Sequence, residues 1–212
     1  MSPSISIPNR LPVMMLSGCN LFPQGLLPLH LFEPRYREML SDALDSHRMF
    51  CIGLLVAPES DDPESCVHQI STAGFVRACV TQPDGCSNLL LQGLQRIRLN
   101  DFLTDKPYVT AAVTPIVTIN RGAPEVDTLS EEVRTQALHL LEREEHGAPS
   151  QIASYLEDVE DAELLGDLVA YHFIDDVEDR HALIAADCLV TRLHLLSEQL
   201  VRRLSGSHKP NG

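Results

Sequence analysis

The sequence contains no tryptophan and only two lysines, Lys106 and Lys209. Lys106 stands beside Pro107 and Lys209 in a polar tail, so a buried Ser–Lys peptidase dyad cannot be assembled from them. No G-x-x-x-x-G-K-[ST] word occurs, which removes the usual phosphate-cradling loop. No G-x-S-x-G word offers a nucleophile elbow, so a serine or cysteine hydrolase finds no context either. Apolar runs stay well short of the roughly 20 residues that span a bilayer. The opening MSPSISIPNR has no basic segment followed by an apolar one, so it does not read as a secretory signal, and a cytoplasmic address is the expectation. The cysteines (Cys19, Cys51, Cys66, Cys79, Cys86 and Cys188) include no C-x-x-C pair, and the histidines no H-E-x-x-H. They read as free thiols, with a Cys79–Cys86 bridge across the intervening turn left open. Neither metal, cofactor nor catalytic residue is expected.

What is present is a globular composition, 44% apolar over 212 residues, enough for one large domain or two small ones. The net charge of −14 is unevenly placed. Residues 124–180 carry 17 acids against Arg134, Arg143 and Arg180, which accounts for all of it; elsewhere acids and bases balance. Such a segment repels phosphate backbones. It reads as a solvated face, with docking of a basic partner as the other reading.

Periodicity divides the chain. Strand patterns cover 10–16, 26–31, 49–56, 66–81 with a break near Ala73-Gly74, 86–92, 94–103 and 107–118. Gln82-Pro83-Asp84-Gly85 is a hairpin turn, and Pro115 should mark a bulge or edge. Many short strands suggest a barrel or sandwich, capped by a helix over 34–46. From 121 the pattern is helical. Thr128-Leu129-Ser130-Glu131 reads as a capping box opening a helix that closes at Gly147. Further helices are expected near 150–157, at 161–173 with Leu164, Leu165, Leu168, Val169 and His172 on one side, and from Asp187 to about 204. The expected fold is α+β in two lobes: a β lobe over 10–120, a helical lobe over 121–205, and flexible tails at 1–9 and 206–212.

The stretch LPLHLFEPRYREML, residues 27–40, changes beat at Pro34. Leu27, Leu29 and Leu31 alternate as in a strand, and Tyr36, Met39, Leu40, Ala43 and Leu44 then follow helical spacing. Pro34 suits a first helical turn. Glu33 is placed to accept first-turn amides or to pair with Arg35 or Arg37. Glu33, Arg35 and Tyr36 are the binding-site candidates of the sequence, although each residue also has a local structural role as a hinge.

This word, with Gly18-Cys19-Asn20-Leu21-Phe22-Pro23-Gln24-Gly25 before it and Pro83-Asp84-Gly85 and Leu91-Gln92-Gly93-Leu94-Gln95-Arg96-Ile97 after it, resembles the N-terminal substrate-binding domain of the Lon protease family. The likeness covers about residues 10–204 and is closest to free-standing members without ATPase or peptidase domains. It implies a PUA-like pseudo-barrel with one inserted helix, followed by a helical bundle. The implied function is a non-catalytic protein- or peptide-binding module, an adaptor in protein quality control, using a barrel edge or a groove between the lobes. Its partner would be a protein or unfolded peptide; membrane and nucleic acid are not expected, and self-association stays open. The alternative is an RNA-binding PUA-like module, for which Arg77, Arg96 and Arg98 would have to form a basic stripe.

Overall fold

The computed structural model describes residues 6–56, 62–143 and 150–206. Its elements in chain order are β1 (Arg10–Leu16), β2 (Leu26–Leu31), α1 (Pro34–Leu44), β3 (Met49–Leu54), α2 (Pro63–Cys66), β4 (Ile70–Thr81), β5 (Ser87–Leu103) and β6 (Val109–Pro115). Then come α3 (Glu125–Arg143), α4 (Ser150–Asp158), α5 (Ala162–Phe173), α6 (Val177–Ala185) and α7 (Leu189–Leu204). The chain forms two compact units that divide between Val117 and Thr118.

The first unit is one sheet in the order β2-β5-β4-β3-β1-β6, with a further β5–β6 pairing. The ladder from β5 through β4, β3, β1 and β6 therefore returns to β5, and β2 is an added strand at its side. Most pairs are antiparallel, but β1 and β3 run parallel from Val13↔Cys51 to Leu16↔Leu54. A parallel pair needs a long crossover, which residues 17–48 supply with β2 and α1. All six residues of β3 are buried. Phe50 and Ile52 pack with Tyr36, Met39 and Leu40 of α1, while Met49 and Cys51 join Leu11, Ile97, Leu99 and Ala111. Its unbroken apolar sequence reflects burial on both faces.

The hairpin at 82–85 is as its residues dictate. Gly85 takes φ 82°, its N–H donates to Gln82 O at 2.9 Å, and Asp84 Oδ1 accepts from the Cys86 N–H at 2.9 Å. Cys79 and Cys86 on either side are free thiols. Where two strands were expected over 86–103, one 17-residue strand runs through Gly93. That glycine is a close approach and not a break. Its N–H donates to Gly25 O and its carbonyl accepts from the Gln24 N–H, both at 2.9 Å. A Cβ there would stand 2.0 Å from Phe22 O. Cys66 belongs to a short helix capped by Asp62, so β4 begins later than its apolar pattern suggests. Register shifts at Ala73/Gly74 and Val76/Ala78 bend β4. β6 ends at Pro115, which lacks the N–H to extend the ladder. Ahead of β1, Ile7 packs on the inner cluster and Asn9 O accepts from the Val113 N–H at 2.9 Å.

In the second unit α3 starts at Glu125, three residues before Thr128. The expected capping box fails because Thr128 lies inside a helix already under way, and Glu131 pairs with Arg134 instead. The stop at Gly147 and the tail from 207 lie outside the described residues. α5 buries Leu165 and Val169 of the expected stripe together with Phe173, while Leu164 and Leu168 are half-buried and His172 is exposed. α6, too short and polar to show periodicity, is capped by Asp176, whose Oδ1 accepts from Glu178 and Asp179 N–H. At the centre lies Arg192, 1% exposed. It donates to Ala186 O, Thr118 Oγ1 and Glu163 Oε1 and faces Asp167 at 3.9 Å, so its buried charge is compensated.

Gly93→Ala is expected to cost about 2 kcal/mol or more, since a backbone oxygen must give way. Gly122→Ala, where no atom lies within 4 Å of the added carbon, should stay within about 0.5 kcal/mol. Denaturant unfolding of the two variants against wild type checks both.

Candidate functional site

Strand alternation sends Leu27, Leu29 and Leu31 of β2 inward, against the cluster of Leu89, Leu91, Val76 and Cys79. The opposite row is then Leu26, Pro28, His30 and Phe32. Pairing places Leu26 beside Gln92, Pro28 beside Leu90 and His30 beside Asn88. On the other side of β5, Ala78 stands beside Leu90 and Val80 beside Asn88. One outer face therefore holds Leu26, Pro28, Phe32, Leu90, Ala78 and Val80. Leu26, Phe32 and Val80 are 43%, 62% and 64% exposed. His30 stacks on Phe32 with centroids 6.1 Å apart, and its Nδ1 lies 2.8 Å from Asn88 Oδ1. This face is apolar with a few polar groups at its centre, a composition that contact surfaces in general share.

The three candidates named from sequence sit just beyond this strand. The carbonyl of Glu33, not its carboxylate, accepts the Tyr36 and Arg37 N–H groups at 3.0 Å. The carboxylate pairs with Arg35 at 2.9 Å. The Arg35 guanidinium lies 4.5 Å from the centre of the Tyr36 ring. Tyr36 is 3% exposed, donates its O–H to Met15 O at 3.0 Å, and has its pKa raised by burial against the opposing pull of Arg35. The structure thus brings the three together, with Tyr36 tying α1 to β1 and the ion pair over its ring.

Other chemically distinctive groups are dispersed. Arg96 is buried while Arg77 and Arg98 are exposed, so the three arginines make no continuous outer stripe. Lys106 is held by Asp42 and by the Tyr108 hydroxyl, which fastens the 104–108 loop to α1. Cys188 was not distinguishable in sequence from an inert thiol. It is the half-buried N-cap of α7, and its pKa is drawn down to about 7 by the Thr191 N–H and hydroxyl and by Asn120. Asn120 Nδ2 lies 3.3 Å from the sulfur. Among the described residues no His, Cys, Asp and Glu group could hold a metal ion, and no helix is long and apolar enough to cross a membrane.

The architecture is that of a two-unit α+β protein, a sheet unit followed by a helical one. The model of the ATP-dependent protease La (LON) substrate-binding domain matches residues 10–202, and the chain belongs to that family. It is 27% identical over 205 residues to a Lon protease of Desulfovibrio desulfuricans, covering 94% of this chain and 23% of that protease. A Lon protease 1 of Herpetosiphon aurantiacus is 26% identical over 207 residues. The chain thus spans about a quarter of the length of the curated relatives it matches, 25% for the second of them. The N-terminal domain of Lon protease from the Mycobacterium avium complex shares the fold, with TM-score 0.75 and 16% identity over 91% of this chain and 98% of that one. A Lon N-terminal domain protein from Xanthomonas campestris does so with TM-score 0.64 and 20% identity, over 88% of this chain and 96% of that one.

Tyr36→Ala should destabilise by about 3–5 kcal/mol, whereas Arg35→Ala should cost no more than about 1 kcal/mol, as an exposed ion pair does. Pro34→Ala should be similarly mild. Thermal melts of the three variants test the hinge; an unchanged Tyr36→Ala melt would contradict it. Alkylation by iodoacetamide, mapped by peptide mass, should reach Cys188 ahead of Cys51, whose pKa burial pushes up to about 12. The Cys188 rate should rise as pH passes through about 7, because the thiolate is the nucleophile.

Proposed function

We propose that this chain is a non-catalytic substrate-recognition module that holds unfolded polypeptide on the outer face of β2, β5 and β4, in the manner of an adaptor in protein quality control. The observation that carries the reading is the row of exposed apolar side chains Leu26, Phe32 and Val80 over one continuous sheet face. The family's substrate-binding description supports it.

The physics favours the face over the strand edge. β2 is paired by β5 alone, but Pro28 within it lacks an N–H, and proline on an edge strand blunts strand addition. Covering the remaining exposed area of Leu26, Phe32 and Val80 is worth about 1 kcal/mol per residue. That gives weak, reversible contact whose specificity is for apolar content rather than sequence, and it suits a surface that must take many unfolded chains. Such binding depends on apolar burial and should change little with salt.

The test is fluorescence anisotropy with labelled, reduced and carboxymethylated α-lactalbumin, a permanently unfolded acidic chain. The double variant Phe32→Asp/Val80→Asp should bind at least about tenfold more weakly than wild type, with an unchanged melting temperature. Equal binding would overturn the assignment. The same preparation is expected to turn over neither ATP nor casein; activity that follows the protein through a point-mutant series would refute the non-catalytic reading.

A further inference from the structure

An imidazole stands amid the apolar side chains of the sheet's outer face. His30 is exposed on β2, with Pro28 before it and Phe32 after it in the same row. Register puts Asn88 of β5 beside it and Val80 of β4 beyond Asn88. Its ring stacks on Phe32, with centroids 6.1 Å apart and planes at 27°. Asn88 Oδ1 lies 2.8 Å from Nδ1. A carboxamide oxygen only accepts, so Nδ1 carries the hydrogen and Nε2 is the atom that takes up a proton. The bond from Nδ1–H to Oδ1 is the same in both charge states. Protonation therefore leaves the ring in place and adds a positive charge to an apolar surface.

No ion pair with a described residue compensates that charge. The cross-strand neighbours Asn88 and Val80 are neutral. Glu33 and Arg35, the first charged residues past the strand, pair with each other at 2.9 Å. At the hairpin end, Asp84 is held below the usual carboxylate range, chiefly by the Cys86 N–H and less by Arg37, while desolvation and Asp84 push the Cys86 thiol up. Arg77 of β4 is exposed at the Val76/Ala78 register shift and stays charged. Carboxylates and guanidinium groups keep their charge between about pH 5.5 and about pH 8, whereas imidazole changes its own.

We propose that His30 makes the sheet face pH-sensitive: neutral, it lets an apolar segment of unfolded polypeptide lie over Phe32 and Val80, and protonated, it releases the segment. The inference rests on the reading of this face as the substrate surface. A segment laid over the ring strips water from it, and a desolvated cation without a partner is costly. The complex therefore holds fewer protons than the free protein. By linkage, affinity is full above the range in which imidazole titrates and is lost as pH falls through it. The Phe32 ring attracts the imidazolium, but the stack exists with and without the segment, so that attraction largely cancels between bound and free states.

The probe is an end-blocked peptide of leucine, phenylalanine, serine and glycine carrying a tetramethylrhodamine label, with no group that titrates in this range. Binding to the whole chain is followed by fluorescence anisotropy from about pH 8 down to about pH 5.5. Wild-type affinity should fall about three- to tenfold over that range. His30→Gln keeps a donor for Asn88 but cannot become charged; it should match wild type at the upper pH within about twofold and show no slope. His30→Leu should be equally flat and bind at least as tightly. The position is exposed, and melting curves at each pH confirm the fold. Wild-type affinity independent of pH, or a slope that persists in either His30 variant, would overturn the proposal and leave the sheet face as the binding surface. Failure of wild type to bind at the upper pH, or unchanged binding there by Phe32→Asp/Val80→Asp, would remove the surface itself and the proposal with it.

Discussion

The register of β2 on β5 is the constraint on which the outer face of the sheet unit depends. A slip of one residue would turn Leu27, Leu29 and Leu31 to solvent and bury Pro28 and His30. Two features hold it. Leu31 is fully buried in the cluster beneath. At the other end of β2, Gly93 lets the 22–25 turn come against the β5 backbone, with hydrogen bonds from Gln24 to Gly93 and from Gly93 to Gly25. With the register set, the outer row of β2 falls beside Leu90 and, across β5, beside Ala78 and Val80. The apolar outer face is thus a consequence of a close backbone approach made on the opposite end of the strand.

The proposed sheet face offers apolar area in a unit, residues 1–117, that carries 11 acids against 8 lysines and arginines and so only −3 of the net charge; contacts there should be short-ranged and tolerant of sequence. The helical unit, residues 118–212, carries the other −11, and some of its carboxylates, such as Asp161, Asp176, Glu163 and Asp175, are committed to caps and ion pairs. An acidic run that reads in sequence as a uniformly solvated face is therefore heterogeneous once each carboxylate has its partner assigned.

The sequence made the inner rows legible and the outer ones not. The two-residue beat of Leu27, Leu29 and Leu31 and the helical stripe of Tyr36, Met39, Leu40 and Ala43 give β2 and α1 almost to the residue, because burial enforces both. Glu33, Arg35 and Tyr36 were identifiable as a local cluster, although which group would cap the helix was open until the Glu33 carbonyl was seen to do it. That Phe32 and Val80 share a face could not be read, since it depends on the pairing of strands far apart in the chain. Glycine misled at 93, where a backbone contact looked like a strand break. The Thr128–Glu131 pattern misled because the helix is already under way from Glu125, which leaves Thr128 inside it and not at its N-cap. Periodicity in α5 found the buried Leu165 and Val169 but drew the stripe too wide, taking in Leu164, Leu168 and His172, of which Leu168 and His172 line a surface slot.

The most direct measurement of the central claim is backbone amide NMR of the whole chain, titrated with unlabelled carboxymethylated α-lactalbumin. Shift changes and broadening are predicted at residues 26–32, 78–80 and 88–92, with little change at two salt concentrations. Perturbation confined to residues 150–173, or spread over the surface without a maximum on β2, β5 and β4, would contradict it.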